Sequence, residues 1–143
     1  MLMQYYPHPQ HDYSYELNKD MNFSAAHFIP DEQAGKCANM HGHTYVVNIT
    51  IAGDTLDDTG FLVNFQKLKE LVHKRYDHRI LNDLEEFSGV NFPTTEVIAQ
   101  VIWQRIENYL KTVPNQPSCL QILVRETPTS YVLYRPKKDE NHG

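Results

Sequence analysis

The chain has 143 residues and a formal net charge of −5, the size of one ordinary domain, 1–143. The negative charge argues against a nucleic-acid partner. No apolar run approaches the roughly 18 residues that a membrane span needs, and residues 1–12 lack the apolar stretch of a signal peptide. We therefore expect a cytoplasmic protein without membrane contact, with 1–12 as a mobile or irregular extension and 136–143 as a tail.

The first part of the chain is predicted to be mostly extended. Residues 13–28 form the first extended segment, with an interruption expected near 18–20. A loop rich in proline, glycine and charge follows at 30–40. Residues 43–52 are rich in β-branched side chains and predict a strand, and 53–60 form an acidic, turn-rich connection.

The middle of the chain predicts two helices. Asn64 is placed to cap a helix over residues 65–72, whose apolar positions share one face. An irregular segment over 76–84 separates this helix from the next one. Thr94 or Thr95 can cap the second helix, and Glu96 is a favourable acidic side chain in its first turn. A broad apolar stripe extends along this helix to residue 110.

The end of the chain predicts two more strands, over 120–125 and 130–134. The order of elements is then ββ–αα–ββ, which indicates the α+β class: a four-stranded antiparallel sheet with two helices on one face. The two open edges of such a sheet must be covered, and association through edge strands is one solution.

The pair His41–Gly42–His43 is the clearest candidate for a metal site. On an extended backbone residues i and i+2 point to the same side, and neutral imidazole is the commonest metal ligand. His27 is the candidate third ligand, and zinc is the default ion for three imidazoles. The alternatives are an exposed pair of loop histidines and, for His27, a histidine near the core.

The two cysteines have different surroundings. Cys119 lies in an alternating stretch typical of a strand, where a buried structural thiol is expected. Cys37 lies in a polar loop beside the histidine pair, where a reactive thiol is more plausible. A disulfide between them is improbable in a cytosolic chain.

Three acidic or imidazole side chains complete the candidates: two in the irregular segment over 76–84 and one just after the strand predicted at 120–125. In Asp77–His78, a carboxylate beside an imidazole can fix its tautomer and raise its basicity, although adjacent residues need not touch. Glu126 follows a predicted strand. It can be solvated, pair with Arg125, or accept two hydrogen bonds from the planar N–H edge of a pterin or guanine.

Six short motifs, taken in order, resemble the 6-pyruvoyl-tetrahydropterin synthase / 6-carboxy-tetrahydropterin synthase family over residues 13–134. They are Phe23-Ser-Ala-Ala-His27, Cys37-x3-His41-Gly-His43, Gly60-Phe-Leu-Val-Asn-Phe65, Tyr76-Asp-His78, Pro93-Thr-Thr-Glu96 and Glu126-Thr-Pro128. The three-residue gap between Cys37 and His41, without a glutamate in it, is the pattern of the bacterial 6-carboxy branch.

The resemblance implies a tunnelling fold (T-fold), with three sheets joined into a barrel and two barrels stacked as a homohexamer, a dimer of trimers with active sites between subunits. It implies a set of roles for individual residues: zinc held by His27, His41 and His43; Cys37, Asp77 and His78 as catalytic residues; Glu126 as the pterin anchor that also takes part in catalysis; and Thr94, Thr95 and Glu96 as further substrate-binding residues.

The implied reaction is a zinc-dependent carbon–carbon lyase reaction of the queuosine pathway. It converts 7,8-dihydroneopterin triphosphate to 6-carboxy-5,6,7,8-tetrahydropterin, acetaldehyde and triphosphate. One alternative is a 6-pyruvoyl-tetrahydropterin synthase acting on the same substrate, and another is a non-catalytic, zinc-stabilised pterin-binding module. The triphosphate needs cations, for which the sequence offers four that it does not rank: Lys19, Lys36, Arg75 and Arg79.

Overall fold

The computed structural model describes residues 6–88 and 92–137, and within them the side chains of Glu32, Ala34 and Cys37 lie outside the described part. The strands are β1 (Tyr15–His27), β2 (His41–Gly53), β3 (Arg79–Ile80), β4 (Ser118–Thr127) and β5 (Ser130–Tyr134). The helices are α1 (Phe65–Leu71), α2 (His73–Tyr76) and α3 (Thr95–Leu110), with 3-10 segments at Glu32–Ala38, Leu81–Asp83 and Glu85–Phe87.

The strands form one open sheet in the order β3-β1-β2-β4-β5. The four long strands pair antiparallel, as predicted, and β3 adds a fifth strand that runs parallel to β1. The α+β class is confirmed, but the sheet is mixed rather than purely antiparallel. A strand of two residues is too short to produce a period-2 pattern, so no sequence signal predicted it.

The first strand is continuous, and the predicted interruption near residues 18–20 is wrong. Asn18 Oδ1 accepts a hydrogen bond from Thr50 Oγ1 at 2.8 Å, and Asp20 Oδ1 accepts one from Asn48 Nδ2 at 2.9 Å. Both partners lie opposite on β2. The polar side chains are therefore satisfied across the sheet, so they do not break the strand.

The helices cover one face of the sheet and bury its apolar residues. On β2 the side chains of Tyr45, Val47, Ile49 and Ile51 are fully buried, and their period of two places them on this face. The 16-residue α3 packs against the neighbouring strands β4 and β5 and joins the same core with a buried stripe that repeats at helical spacing: Ile98, Ile102, Ile106 and Leu110. Among the described residues no helix has the length and apolar character needed to cross a membrane.

The connection predicted as a loop over 30–40 contains a 3-10 segment, Glu32–Ala38. Asp31 begins it by accepting a hydrogen bond from the Gln33 amide. Gly35 has φ +60°, a conformation that glycine adopts without strain and that kinks the segment. This short connection links the end of β1 at His27 with the start of β2 at His41.

The N-terminal residues that the structure describes, from 6 to the start of β1, form no helix or strand, but they are attached to the sheet. The carbonyl of Pro7 accepts a hydrogen bond from Gln121 Nε2 at 2.7 Å, and His8 and His11 each lie about 3 Å from a carboxylate oxygen of Glu16 (3.0 and 2.9 Å). Residues 1–5 and 138–143, parts of the predicted extension and tail, lie outside the described residues.

A partly buried carboxylate, Glu86, links α2 to the segment that follows it. Arg75 donates to both of its oxygens, at 2.6 and 3.1 Å, and Tyr76 Oη donates at 2.8 Å. Burial by itself raises the pKa of Glu86, but the hydrogen bonds from Arg75, the backbone and Tyr76 outweigh it and lower the pKa to about 2. Arg75 is therefore engaged in the fold, which removes it from the candidate triphosphate cations.

We expect Glu86→Gln to lower the free energy of unfolding at pH 7 by about 2 to 3 kcal/mol, because the folded state holds this carboxylate ionised. The folded pKa lies below the ordinary value of 4.5, so this stabilisation is complete above about pH 5 and is lost as the pH falls towards 2. Urea unfolding of both proteins between pH 7 and pH 3 measures the difference.

The matched control is Glu70→Gln, because Glu70 is half exposed and lies 3.7 Å from Lys67 at the surface. We expect Glu70→Gln to change the free energy of unfolding by less than about 0.5 kcal/mol. If the difference in free energy of unfolding between wild type and Glu86→Gln did not depend on pH, the stabilisation could not come from the ionised Glu86 carboxylate.

Candidate functional site

Three histidines come together at one end of the sheet because of the register between β1 and β2. His27 pairs with His41, and Ala25 pairs with His43. The pleat then places His41 and His43 on the same face as His27. The side-chain ligand atoms of these three residues and of Glu126 all lie within 4.8 Å of one another.

Backbone carbonyls fix the tautomers of two of the three rings. His27 Nδ1 lies 2.6 Å from the Pro93 carbonyl, and His41 Nδ1 lies 2.7 Å from the Asn39 carbonyl. A carbonyl only accepts, so each Nδ1 carries the proton. In the neutral ring the Nε2 atom then has a free lone pair, as a metal ligand requires.

The centre of the cluster is rich in acceptors and has no matching donor. Glu126 Oε1 lies 2.9 Å from His43 Nε2 and 3.6 Å from His27 Nε2. Yet neither nitrogen has a hydrogen-bond partner among the described residues, since the 2.9 Å contact lacks the alignment of a hydrogen bond. Buried atoms of this kind are stabilised together by a cation.

Burial lowers the pKa of His27 despite the opposing hydrogen bond to Pro93, and the neighbouring imidazoles lower it further. The ring is therefore neutral at pH 7, the form that binds metal. The four residues are positioned to hold a metal ion. The predicted histidine ligands are brought together, while zinc as the identity of the ion stays a prediction.

Glu126 lies inside β4 rather than after it, so its prediction as a residue beyond the strand is wrong. Glu126 lies two residues after Val124 on β4 and shares its face of the sheet, so it faces the histidines. Its Oε2 accepts a hydrogen bond of 2.5 Å from Thr95 Oγ1 at the start of α3. The sequence indicated this carboxylate as a pterin anchor but not as a neighbour of the metal ligands.

The other two residues predicted at the start of α3 have different surroundings. Thr94 caps the helix by accepting a hydrogen bond from the Val97 amide at 3.2 Å. Glu96 is exposed on the first turn. Neither makes a polar contact with the histidine cluster in the part of the chain that the structure describes.

Asp77 and His78 touch each other as proposed for a relay. His78 Nδ1 lies 2.9 Å from Asp77 Oδ2, while Asp77 Oδ1 accepts a hydrogen bond from the Ser24 amide at 2.9 Å. The hydrogen bond from Ser24 lowers the pKa of Asp77, and the one from His78 lowers it further. Asp77 is thus ionised at pH 7, and it holds an imidazole whose side chain is 83% exposed.

This pair is close to the cluster without joining it. His43 and His78 line one open groove of about 490 Å³, together with Arg79. Within the described residues, however, neither Asp77 nor His78 contacts the three histidines or Glu126. The side chain of Cys37 lies outside the described residues, although its backbone belongs to the connection between His27 and His41.

The sequence prediction missed one residue of the site, Tyr45. Its side chain is fully buried, its ring lies against those of His27 and His43 with centroids 5.9 and 5.6 Å away, and its hydroxyl has no hydrogen-bond partner among the described residues. Burial raises the pKa of Tyr45, and the charge of Glu126 raises it further. His41, His43 and Tyr45 occupy every second position of β2 and therefore share one face of the strand. This spacing was the sequence signal that could have predicted Tyr45 as a residue of the site.

Comparison with known proteins identifies the class of enzyme. Residues 16–137 match the family described as 6-pyruvoyl tetrahydropterin synthase, which acts in pterin synthesis. The structure is similar to that of the Caenorhabditis elegans 6-pyruvoyl tetrahydropterin synthase, with a TM-score of 0.69 and 28% identity over 86% of this chain and 96% of that one. The predicted T-fold is confirmed.

Two relatives in sequence complete the comparison. The chain is 61% identical, over the full length of both proteins, to the 6-carboxy-5,6,7,8-tetrahydropterin synthase of Bacillus subtilis. It is 36% identical to the 6-pyruvoyl tetrahydrobiopterin synthase of Drosophila melanogaster, over 83% of this chain and 78% of that protein. The chain belongs to the 6-pyruvoyl tetrahydropterin synthase family and is an enzyme of the lyase class, as its motifs predicted.

We expect the purified protein to bind about one divalent metal ion per chain and His41→Ala to weaken this binding at least about 100-fold. Loss of a residue that only orients a ligand already costs 10- to 100-fold, and His41 offers the ligand atom itself. Competition with a chromophoric chelator measures the affinity. His11→Ala is the control, because His11 pairs with Glu16 outside the cluster, and equal affinities for all three proteins would contradict the site.

Proposed function

We propose that this chain is a zinc-dependent lyase that converts 7,8-dihydroneopterin triphosphate to 6-carboxy-5,6,7,8-tetrahydropterin, acetaldehyde and triphosphate, a step in the synthesis of 7-deazapurines such as queuosine. The observation that carries the proposal is the cluster of three imidazoles and one carboxylate at the end of the sheet. The 61% identity to a 6-carboxy-5,6,7,8-tetrahydropterin synthase supports the choice of reaction within the family.

The residues of the cluster fit zinc, since neutral imidazoles and a carboxylate are among its usual ligands. His27, His41 and His43 would hold the ion. When bound, zinc supplies Lewis acidity that lowers the pKa of hydroxyl groups on the substrate side chain. Glu126 would accept two hydrogen bonds from the amino-pyrimidinone edge of the pterin and so orient the ring, which places its side chain for reaction.

The remaining proposed residues move protons. Cys37, as a thiolate, accepts a proton from the substrate side chain. His78, oriented by the ionised Asp77, carries protons to and from the ring. The ring gains two hydrogens while a side-chain carbon is oxidised to the carboxylate, with one oxygen from water. The reaction is therefore balanced without an external oxidant or reductant.

The open groove beside the cluster supports Arg79 as the cation for the triphosphate, since Arg79 lines it together with His43 and His78. Guanidinium binds phosphate oxygens in a fixed fork geometry. Lys19 lies over the Phe65 ring, 5.2 Å from its centroid, beside a different groove. Lys36 lies next to Cys37 in the connecting segment and stays a second candidate.

An assembly of several copies would complete this site, and we propose the homohexamer that the sequence predicts. Two observations support it. The sheet of the described residues is open, with β3 and β5 at its edges. In the described part of one chain, the Asp77–His78 pair makes no hydrogen bond or ion pair with the histidine cluster, which fits a relay supplied to each metal site by a neighbouring copy. The substrate-binding roles of Thr94, Thr95 and Glu96 also remain proposals.

We expect the zinc-loaded protein to release acetaldehyde and 6-carboxy-5,6,7,8-tetrahydropterin in equal amounts from 7,8-dihydroneopterin triphosphate. Mass spectrometry of the pterin and an enzymatic assay of acetaldehyde measure the two products. A pyruvoyl product would instead support the 6-pyruvoyl-tetrahydropterin synthase alternative, and binding without turnover would support the non-catalytic module.

The cysteine variants are the matched controls for this assay. Cys37→Ala should lower turnover at least about 100-fold, because a general base contributes 10²- to 10⁴-fold. Cys119→Ala, at a fully buried thiol in β4, should retain turnover per folded molecule. Normal turnover by Cys37→Ala would rule out its role as the base.

We expect Glu126→Gln to weaken pterin binding by about 10- to 100-fold, since hydrogen bonds to a charged group contribute about 1.5–3 kcal/mol. Zinc content should stay normal, because three imidazoles suffice for the ion. Fluorescence titration with a pterin and metal analysis measure the two effects separately. Loss of zinc with unchanged pterin affinity would instead make Glu126 a metal ligand alone.

A further inference from the structure

Three buried polar atoms lack hydrogen-bond partners among the described residues, and they belong to three residues whose rings contact one another. They are Nε2 of His27, Nε2 of His43 and the hydroxyl of Tyr45. Buried polar groups are nearly always paired in folded proteins. Three unpaired atoms in one cluster of rings therefore indicate that a further group belongs there.

A cation accounts for only two of the three atoms. His27 Nε2 is an acceptor that a cation satisfies, and so is His43 Nε2 when its ring carries the proton on Nδ1, but the phenol of Tyr45 is a donor that needs an acceptor oxygen. An ordinary phenol has a pKa of about 10 and is protonated at pH 7. The loaded site must therefore offer an oxygen to this O–H group.

The ring of Tyr45 is held in one position, which fixes where the hydroxyl lies. It stacks on Phe23 at a centroid distance of 5.1 Å and an interplanar angle of 27°. On its other side it meets the rings of His27 and His43 at steep angles, 87° and 65°. Phe23 is its cross-strand partner on β1, so this packing is part of the sheet itself.

Glu126 is the carboxylate next to Tyr45 in the sheet. The register of β2 and β4 pairs Val46 with Arg125, so the next positions along the two strands, Tyr45 and Glu126, are cross-strand neighbours on the same face. Glu126 Oε1 lies 2.9 Å from His43 Nε2, next to the ring that Tyr45 contacts. Its Oε2 already accepts a hydrogen bond from Thr95, and a carboxylate can accept about four.

We propose that Tyr45 is a positioning residue for Glu126: when a cation occupies the histidine nitrogens, the Tyr45 hydroxyl donates a hydrogen bond to the Glu126 carboxylate. Thr95 on α3 and Tyr45 on β2 then hold the carboxylate from two sides, which fixes the direction of its acceptor oxygens. This inference rests on the proposed function, in which Glu126 accepts the N–H groups of a pterin.

The test is a double-mutant cycle with Tyr45→Phe, Glu126→Gln and the double variant, all loaded with zinc. The probe is 7,8-dihydroneopterin, which lacks the triphosphate leaving group, and its affinity is read by fluorescence titration. We expect Tyr45→Phe to bind the pterin about tenfold more weakly, with zinc content unchanged. The double variant should bind no more weakly than Glu126→Gln alone, because the hydroxyl acts through that carboxylate.

The control is Tyr76→Phe. Among the described residues Tyr76 is the other fully buried tyrosine, and its hydroxyl is paired because it donates to Glu86. Without zinc, Tyr76→Phe should melt about 3 °C lower than wild type, because it removes one of the three side-chain hydrogen bonds to Glu86. Tyr45→Phe should not melt lower, because its hydroxyl has no hydrogen-bond partner among the described residues. Tyr76→Phe should leave pterin affinity unchanged.

Three outcomes overturn the inference alone: wild-type pterin affinity in Tyr45→Phe, additive losses in the double variant, or a melting temperature of metal-free Tyr45→Phe as low as that of Tyr76→Phe. A wild-type protein that binds zinc but no pterin would overturn the proposed function and the inference together.

Discussion

The site depends on the register between β1 and β2. The pairing of His27 with His41 and of Phe23 with Tyr45 places imidazoles at the end of the sheet and aromatic rings beneath them. A slip of one residue would send every side chain of a strand to the opposite face. Polar pairs on one face, such as Asn18 with Thr50, and buried rings on the other both specify this register, so the fold and the site are fixed by the same contacts.

This register brings three imidazoles and one carboxylate together, and their neighbours hold them in place. Carbonyls of Pro93 and Asn39 orient two rings, and Thr95 at the start of α3 holds Glu126. Among the described residues, two imidazole nitrogens and one phenol of this cluster are buried without a hydrogen-bond partner, which costs free energy. Binding of a cation would recover part of that cost and would couple metal binding to stability.

Much of the fold was predictable because it follows local periodicity. The apolar stripe of α3, the β-branched run of β2 and the cap at Asn64 are properties of neighbouring residues, and all three are present in the structure. The errors arose where tertiary partners override local preference. The polar residues 18–20 resemble a turn but are satisfied across the sheet by β2, and β3 exists only because Arg79 and Ile80 lie beside β1.

The sequence by itself determined the family, the α+β class and the three histidines, because these depend on residue types at short, fixed spacings. Only the tertiary structure decided that Glu126 joins the histidines, that Arg75 pairs with Glu86 while Arg79 faces the groove, and that the Tyr45 hydroxyl beside the histidine cluster has no hydrogen-bond partner among the described residues. The physical reason is that these relations join residues far apart in the chain. Strand register and helix packing set their distances, and no local pattern records them.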